Sequence, residues 1–392
     1  MENKKKLVVI GGGAAGFFCA VNAARMHKGM EVVVLEKSSK LLSKVKVSGG
    51  GRCNVTHACP DVRELLAHYP RGASFLKKAF HQFHTLHTIE WFSERGVTLK
   101  TEEDGRMFPI TDDSQTIIDC LLEEARKYSV DIRMNVVVSK IIHHSTEEGK
   151  NGFVIEISSG SRFEADYVCI ACGGFPKMEQ YSWIKELGHS IIEPVPSLFT
   201  FNLPGADITK LMGITVPDVL VKIQGTNLQH RGSLLITHWG MSGPAILKLS
   251  SFGAVDLAQK KYEFTYTVNW LPEYNETSVR EELQRFRFEL ASQKMINRNP
   301  FKLPSRLWEF LLANTGLGPD IRWSDLPAKD QNKLAKLLCG QEFYAKGKTT
   351  FKEEFVTAGG VDTGQINPES MESRQCSGLF FAGEIMNVDG VT

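Results

Sequence analysis

The segment Val8–Gly16, VVIGGGAAG, constrains this chain more than any other stretch. LVVI is a short, apolar, β-branched run. It leads into Gly11-x-Gly13-x-x-Gly16 and then into apolar positions Phe17, Ala20, Val21 and Ala24, which share one helical face. A second apolar run, EVVVL, ends on Glu36, twenty residues after Gly16. Strand, glycines, helix, strand and terminal acid together form the β-α-β dinucleotide fingerprint. Gly11 permits the tight turn. Gly13, Ala14 and Ala15 bring main chain to a pyrophosphate at the helix N-terminus, and Gly16 allows close helix-to-strand packing. Glu36 then accepts hydrogen bonds from an adenosine ribose, and its charge disfavours a 2′-phosphate there.

A second triplet, Gly49, Gly50 and Gly51, follows Ser48 and precedes Arg52, Cys53 and Asn54. A nicotinamide dinucleotide held by the first motif leaves these residues without a task. Glycines without side chains let the main chain lie against a large planar group and turn N–H groups toward its polar edges. That suits a flavin, so the expected cofactor is FAD, with its ADP end at the first triplet and its ring end at the second.

At 392 residues the chain is expected to form two domains, or one domain with a large insertion. Its 46 Lys+Arg nearly balance 45 Asp+Glu, so no basic excess points to nucleic acid or an acidic membrane. No segment approaches the roughly 18 continuous apolar residues of a membrane helix. The first twenty residues superficially resemble a signal peptide, but the glycine triplet interrupts the apolar region. A cytoplasmic location is expected, and eight dispersed cysteines suit a reducing compartment better than a disulfide framework.

KVKVSGGGRCNVT resembles the flavin-contacting signature of the bacterial HI0933-like or BaiN-like flavoproteins. The resemblance continues through EEDGRMFP (Glu102 to Pro109), ITHWGMSGPAIL (Ile236 to Leu247), VTAGGV (Val356 to Val361) and SGLFFAGEIMNVDGVT (Ser377 to Thr392), essentially the whole chain. Members include proposed aminoacetone oxidases and a bile-acid enoyl reductase. The resemblance implies an α/β fold: a three-layer Rossmann-like FAD/NAD(P)-binding domain with an inserted mixed β-barrel-like and helical domain. It implies backbone contact from Val138 to adenine, a second glycine turn at Ala171-Cys172-Gly173, and Gly383-Glu384 binding a ribityl hydroxyl. Lys37, Lys44 and Asp389 complete the expected cofactor set. Relatives continue beyond the position of Thr392 with a glycine pair, an Asn and a long helix facing the flavin. A longer natural chain and a less firmly held flavin are both open readings. Relatives also carry a Gly-Ser-Thr-Gly type loop where this chain has FPKMEQYSW, so their substrates do not transfer.

The expected boundaries are 1–195 with 354–392 for the FAD-binding domain and 196–353 for the insertion. Periodicity predicts amphipathic helices over Ser74–Gly96 and Gln115–Tyr128. VDIRMNVVVSKI reads as one strand, and GFVIEIS with SRFEADYVCIACGG as a hairpin-like return. The insertion contains the strands TVPDVLVKIQG and GSLLITH. Its helices are predicted near Ser278–Met295, started by a Ser278-x-x-Glu281 capping box, and over Pro304–Leu312 and Ala328–Leu338. It holds no second GxGxxG unit, so NADH or NADPH, if used, enters the flavin cleft as a transient donor.

Flavin chemistry requires the protein to position a small-molecule substrate and supply a proton. In THWGMSGP, Gly240 and Gly243 allow a tight turn and Pro244 suits the first position of a helix. His238 is therefore the candidate general acid or base and Ser242 a polar contact, against a plain loop-fixing role for His238. Arg52 either favours negative charge on reduced flavin or a substrate carboxylate, or pairs with an acidic residue. Cys169 and Cys172 read as buried core cysteines rather than a redox pair, because residues three apart on a strand face opposite ways. His81, His84, His87 and His143-His144 show no metal set, and a solvated helix face accounts for the first three. The reading is an FAD-dependent oxidoreductase, either an NAD(P)H-dependent reductase or an amine oxidase consuming oxygen. The rivals are a non-catalytic or tRNA-associated flavin-binding protein and a nicotinamide-only dehydrogenase. Oligomeric state is left open.

Overall fold

The computed structural model describes residues 4–145, 151–349 and 356–391. The chain divides into two compact units, Met1–Pro196 with Lys352–Thr392, and Ser197–Phe351. The expected boundary at 353/354 lies outside the described residues.

The first unit is built on β1 (Lys6–Ile10), α1 (Ala14–Met26), β2 (Glu31–Glu36), α2 (Ser43–Gly51), α3 (Ala73–Gln82), α4 (Thr85–Ser93), α5 (Gln115–Lys127), β3 (Asp131–Met134), β4 (Val138–Ser145), β5 (Tyr167–Ile170), β6 (Val356–Val361) and β7 (Leu379–Phe381). Five of these strands make one sheet in the order β7-β5-β1-β2-β3, and every neighbour pair runs parallel. A parallel sheet is covered on both faces, which is why VVI and VVVL are continuous apolar runs rather than alternating ones. Val8, Val9, Val33 and Val34 are completely buried.

Two predicted strands divide. VDIRMNVVVSKI breaks at Asn135, which adopts φ 59°, so that β3 joins the parallel sheet while β4 joins a three-stranded antiparallel sheet with Asn151–Ile157 and Arg162–Ala165. SRFEADYVCIACGG breaks at Asp166, whose carboxylate accepts hydrogen bonds from the Lys6 backbone N–H (2.8 Å) and Lys5 Nζ (2.6 Å). That carboxylate ties the return strand to the start of β1. The predicted helix over 74–96 is two helices, because Phe83 and His84 are extended. His84 Nδ1 accepts from the Leu86 N–H at 3.4 Å and His87 Nδ1 from the His84 N–H at 3.2 Å. These histidines cap α4, a role that their reading as a solvated face had missed.

The second unit carries a seven-stranded sheet in the order 341–346, 263–269, 215–223, 229–236, 240–242, 200–202, 348–349. Its core gathers Trp270, Trp308, Trp323 and Tyr266, all essentially inaccessible. The helix expected from Ser278 begins earlier, at Glu276, and ends at Glu289. Asn275 is the N-cap: its Oδ1 accepts from the Ser278 N–H, and Ser278 Oγ accepts from the Asn275 N–H, each at 3.0 Å. Ser278 therefore closes the box from the third helical position. The other two predicted helices run Ser305–Thr315 and Ala328–Gly340. Among the described residues no helix is long and apolar enough to cross a membrane.

Candidate dinucleotide site

At the end of β1 the chain turns on Gly11, φ 117°, where an added Cβ would lie 2.5 Å from the Ala171 carbonyl oxygen. A Cβ on Gly16 would lie 1.9 Å from the Gly11 carbonyl oxygen. Both glycines are packing requirements. Gly13 differs: it is the N-cap of α1 with no side-chain cap, and a Cβ there would meet nothing within 4 Å. The uncapped first turn of a thirteen-residue helix thus opens onto free space, the arrangement that receives an anion.

That space is a cavity of about 1070 Å³ in the first unit. Gly11, Gly13, Ala14 and Ala15 form one wall. Glu36, Lys37 and Val136 to Ser139, including Val138, form another, where the chain returns beside β2 through a Val136 N–H to Glu36 carbonyl bond of 2.9 Å. Glu36 is fixed by accepting from the Gly12 N–H at 2.7 Å and the Ser38 N–H at 2.8 Å. A third wall, Ala171 to Gly174, leaves β5. Gly173 has φ 74° and, like Gly13, open space where a Cβ would be. Gly383 and Glu384 close the cradle from the end of β7, with Glu384 Oε2 paired to Lys44 Nζ at 3.0 Å.

The second triplet does something other than lie flat on the cavity. After a turn of helix, Ser48 is extended and Gly49, Gly50 and Gly51 adopt φ of 58°, 70° and 87°. This left-handed run is open to glycine and costly for other residues. It packs on Phe108, since a Cβ on Gly49 would approach that ring to 2.7 Å. The three glycines and Arg52 do not line the cavity. Ser48, Cys53 and Asn54, which flank them, do. Arg52 sits 4.0 Å over the Phe108 ring, with Nη1 2.5 Å from Glu102 Oε1 and 3.6 Å from Asp112 Oδ1. The guanidinium is occupied by acids, the second of the two readings of this residue. Asp389, also outside the lining, is buried against the Arg71 guanidinium.

Cys169 is packed in the core with Leu7 and Val9. Cys172 instead borders the cavity, so the expectation that both are core residues is corrected for this one. Burial pushes the Cys172 thiol up to about 12, only partly opposed by the nearby Lys37 charge, so it is a neutral thiol. Among the described residues no group of three or more His, Cys, Asp or Glu is placed to hold a metal ion.

His238 and Ser242 belong to the second unit. The turn Thr237–Gly240 is closed by a Thr237 N–H to Gly240 carbonyl bond of 2.8 Å. Gly240 is required there, because a Cβ would lie 1.9 Å from the Phe201 carbonyl oxygen. His238 is exposed beside Trp239, with ring centroids 3.8 Å apart. Gly243 and Pro244 start the helix Pro244–Phe252. Phe18, Phe83, Thr88, Phe92, Ile117 and Leu121 also line the first unit's cavity. Sequence reasoning missed them because they come from three separate helices and the break between α3 and α4, with no local motif.

A β-α-β crossover, an uncapped glycine-rich helix start and an acid at the end of the second strand define a Rossmann-type dinucleotide-binding protein. Residues 5–392 match the family model of the HI0933-like protein Rossmann domain, and the chain belongs to that family. It is thereby an oxidoreductase of the FAD flavoprotein class. It is similar to the ribosomal RNA dihydrouridine synthase of Escherichia coli K12, with 30% identity over 98% of this chain and 92% of that one. It is also similar to the 3-dehydro-bile acid delta(4,6)-reductase of Clostridium scindens, with 28% identity over 98% and 94%. A solved 3-ketosteroid-delta4-(5alpha)-dehydrogenase of Rhodococcus jostii, 13% identical, shares the fold with a TM-score of 0.50 over 99% of this chain and 92% of that one.

Proposed function

We propose that this protein is a reductase of a carbon–carbon double bond conjugated to a carbonyl. The observation that carries the reading is what two near-full-length relatives have in common. Dihydrouridine is uridine saturated at the bond conjugated to its ring carbonyl, and a 3-oxo-delta(4,6) steroid is a conjugated dienone. The substrates named differ, but the bond type is the same. The shared bond type supports reduction over amine oxidation.

FAD, when bound, supplies the hydride. The residues of the first unit fit it. The α1 N-terminus at Gly13 to Ala15 would hold the pyrophosphate, Glu36 the adenosine ribose and Val138 the adenine. Lys44 and Glu384 would hold the ribityl chain, and Ser48, Cys53, Asn54 and Gly173, which line the same cavity, would meet the ring. Saturating a double bond also takes a proton. We assign its delivery to the His238 imidazole, with Ser242 as a polar contact, because an imidazole can both give and take a proton. NADH or NADPH is the proposed electron source.

A second reading concerns the substrate: uridine in ribosomal RNA, favoured by relatives in Escherichia coli and Haemophilus influenzae that bear that name. The near-zero net charge argues against a dedicated nucleic-acid surface. The test is anaerobic incubation with NADH or NADPH and either a 3-oxo-4,6-diene steroid or unmodified rRNA. Nicotinamide oxidation with a product heavier by two hydrogens is the expected result. No reduction of either compound, together with peroxide release from small amines in a parallel aerobic assay, would remove the proposal. His238→Ala is expected to slow product formation by about 10²-fold or more while leaving FAD content unchanged.

A further inference from the structure

The segment FPKMEQYSW, Phe175 to Trp183, follows the Gly173–Gly174 turn as the chain leaves the third wall of the cradle. It folds as a single turn, Met178–Tyr181, running into a short helix, Ser182–Lys185. One buried hydroxyl pins it. Tyr181 Oη accepts from the Phe175 N–H at 2.9 Å and donates to the Phe175 carbonyl at 3.5 Å, and the Tyr181 side chain is inaccessible. A second tie closes the turn, where Gln180 Oε1 accepts from the Lys177 N–H at 3.3 Å. The segment is thus a shaped wall rather than a loose loop.

This wall stands at the end of the cavity reached from β2. Lys37, the residue after Glu36, has its Nζ 5.4 Å from the centre of the Phe175 ring. Val136 and Val138 pack on the same buried cluster as Phe175, Tyr181 and Trp183. The polar side chains that this segment turns to the cavity, Glu179, Gln180 and Ser182, therefore meet the base end of a dinucleotide and not the pyrophosphate at the start of α1. Charge gives the same answer. Glu179 adds a second carboxylate to that of Glu36, and two acids repel a phosphate but suit the amino group of a base.

Among the described residues the Glu179 carboxylate enters no ion pair and no side-chain hydrogen bond. Gln180 spends its Oε1 within the segment and keeps its amide N–H groups for donation. An acceptor and a donor, adjacent in the chain, match the edge of adenine, whose amino group donates and whose neighbouring ring nitrogen accepts.

We propose that Glu179 and Gln180 are specificity-determining residues that read the base of the dinucleotide, Glu179 accepting from the adenine amino group and Gln180 donating to the ring nitrogen beside it. The inference rests on the cradle holding FAD and is independent of the reaction that the flavin carries out.

The test titrates the whole chain, freed of its chromophore, with FAD and with its deamino analogue, in which hypoxanthine replaces adenine, and follows flavin fluorescence. Hypoxanthine reverses both features: an accepting oxygen replaces the amino group, and the ring nitrogen carries a hydrogen. The wild type is expected to bind FAD about tenfold more tightly than the analogue. Glu179→Gln supplies an amide that can donate to the hypoxanthine oxygen, and should bring the ratio of the two affinities to within about threefold of one. Gln180→Glu keeps the bond from the Lys177 N–H, exchanges donor for acceptor, and should act in the same direction. Both positions are exposed, so the thermal midpoint should stay within a few degrees of wild type. Glu36→Gln, at the ribose common to both ligands, should weaken both and leave the ratio unchanged. Equal binding of the two dinucleotides by the wild type, or a tenfold preference that survives both substitutions, would overturn the base reader while leaving the cofactor assignment standing. Binding of neither dinucleotide would remove the cofactor assignment and the base reader with it.

Discussion

Gly13 and Gly16 stand three residues apart in one motif, yet they answer to different physics. Gly13 has φ −91°, which any residue adopts, and faces empty space. Gly13→Ala is expected to leave the thermal midpoint within a few degrees and to remove most bound flavin, as read by absorbance. Gly16→Ala drives a methyl group into the Gly11 carbonyl and should destabilise the fold by about 2 kcal/mol or more in denaturant unfolding. The glycine pattern was legible in the sequence because the β-α-β unit is local. What it left open was which glycine serves the ligand. That depends on Ala171 and on the space beyond α1, neither of which is near in sequence. Arg52 shows the same limit, since Glu102 and Asp112, fifty and sixty residues away, decide how its charge is used.

At the scale of elements, α2 and its triplet form a shaped corner rather than a flexible loop. Gly49→Ala combines a left-handed φ with a contact of 2.7 Å to Phe108, and a cost of about 1–3 kcal/mol is expected. Because Cys53 and Asn54 follow directly, flavin release should accompany it, and flavin fluorescence would report the loss. The joint between α4 and α5 has its own test. Arg95 and Glu124 are paired at 2.8 Å with side chains 10% and 8% exposed, and the guanidinium lies 3.8 Å over Trp91. Burial opposes ionisation of Glu124, but bonds from Lys127 and Arg95 outweigh it and hold its pKa below the ordinary 4.5. The folded value is depressed, so the stabilisation is complete above the unfolded pKa and disappears as pH falls through the folded one. Glu124→Gln should cost about 3 kcal/mol at neutral pH and flatten the loss of thermal midpoint between pH 5 and pH 3 relative to wild type. The helix periods of α1 and α5 were readable because each helix buries a continuous face. The break at Phe83–His84 was not, because the apolar period continues across it and only the imidazole caps interrupt the backbone.

For the whole molecule, the cradle is assembled from the ends of β1, β2, β5 and β7, strands from opposite ends of the chain that one parallel sheet brings together. A ligand that binds only the folded state adds stability in proportion to its free concentration over Kd, so added FAD is expected to raise the thermal midpoint of the stripped protein. The sequence identified this unit through its terminal motifs. It said less about the second unit, where sheet order depends on pairings such as Phe201 with Met241 that no local pattern encodes. The measurement that bears most directly on the account is the visible spectrum of the purified protein, with the released chromophore identified and counted. Yellow protein that yields FAD in near-equal amount to the chain is the expected result. Colourless protein that takes up no added FAD would contradict the assignment of this cavity.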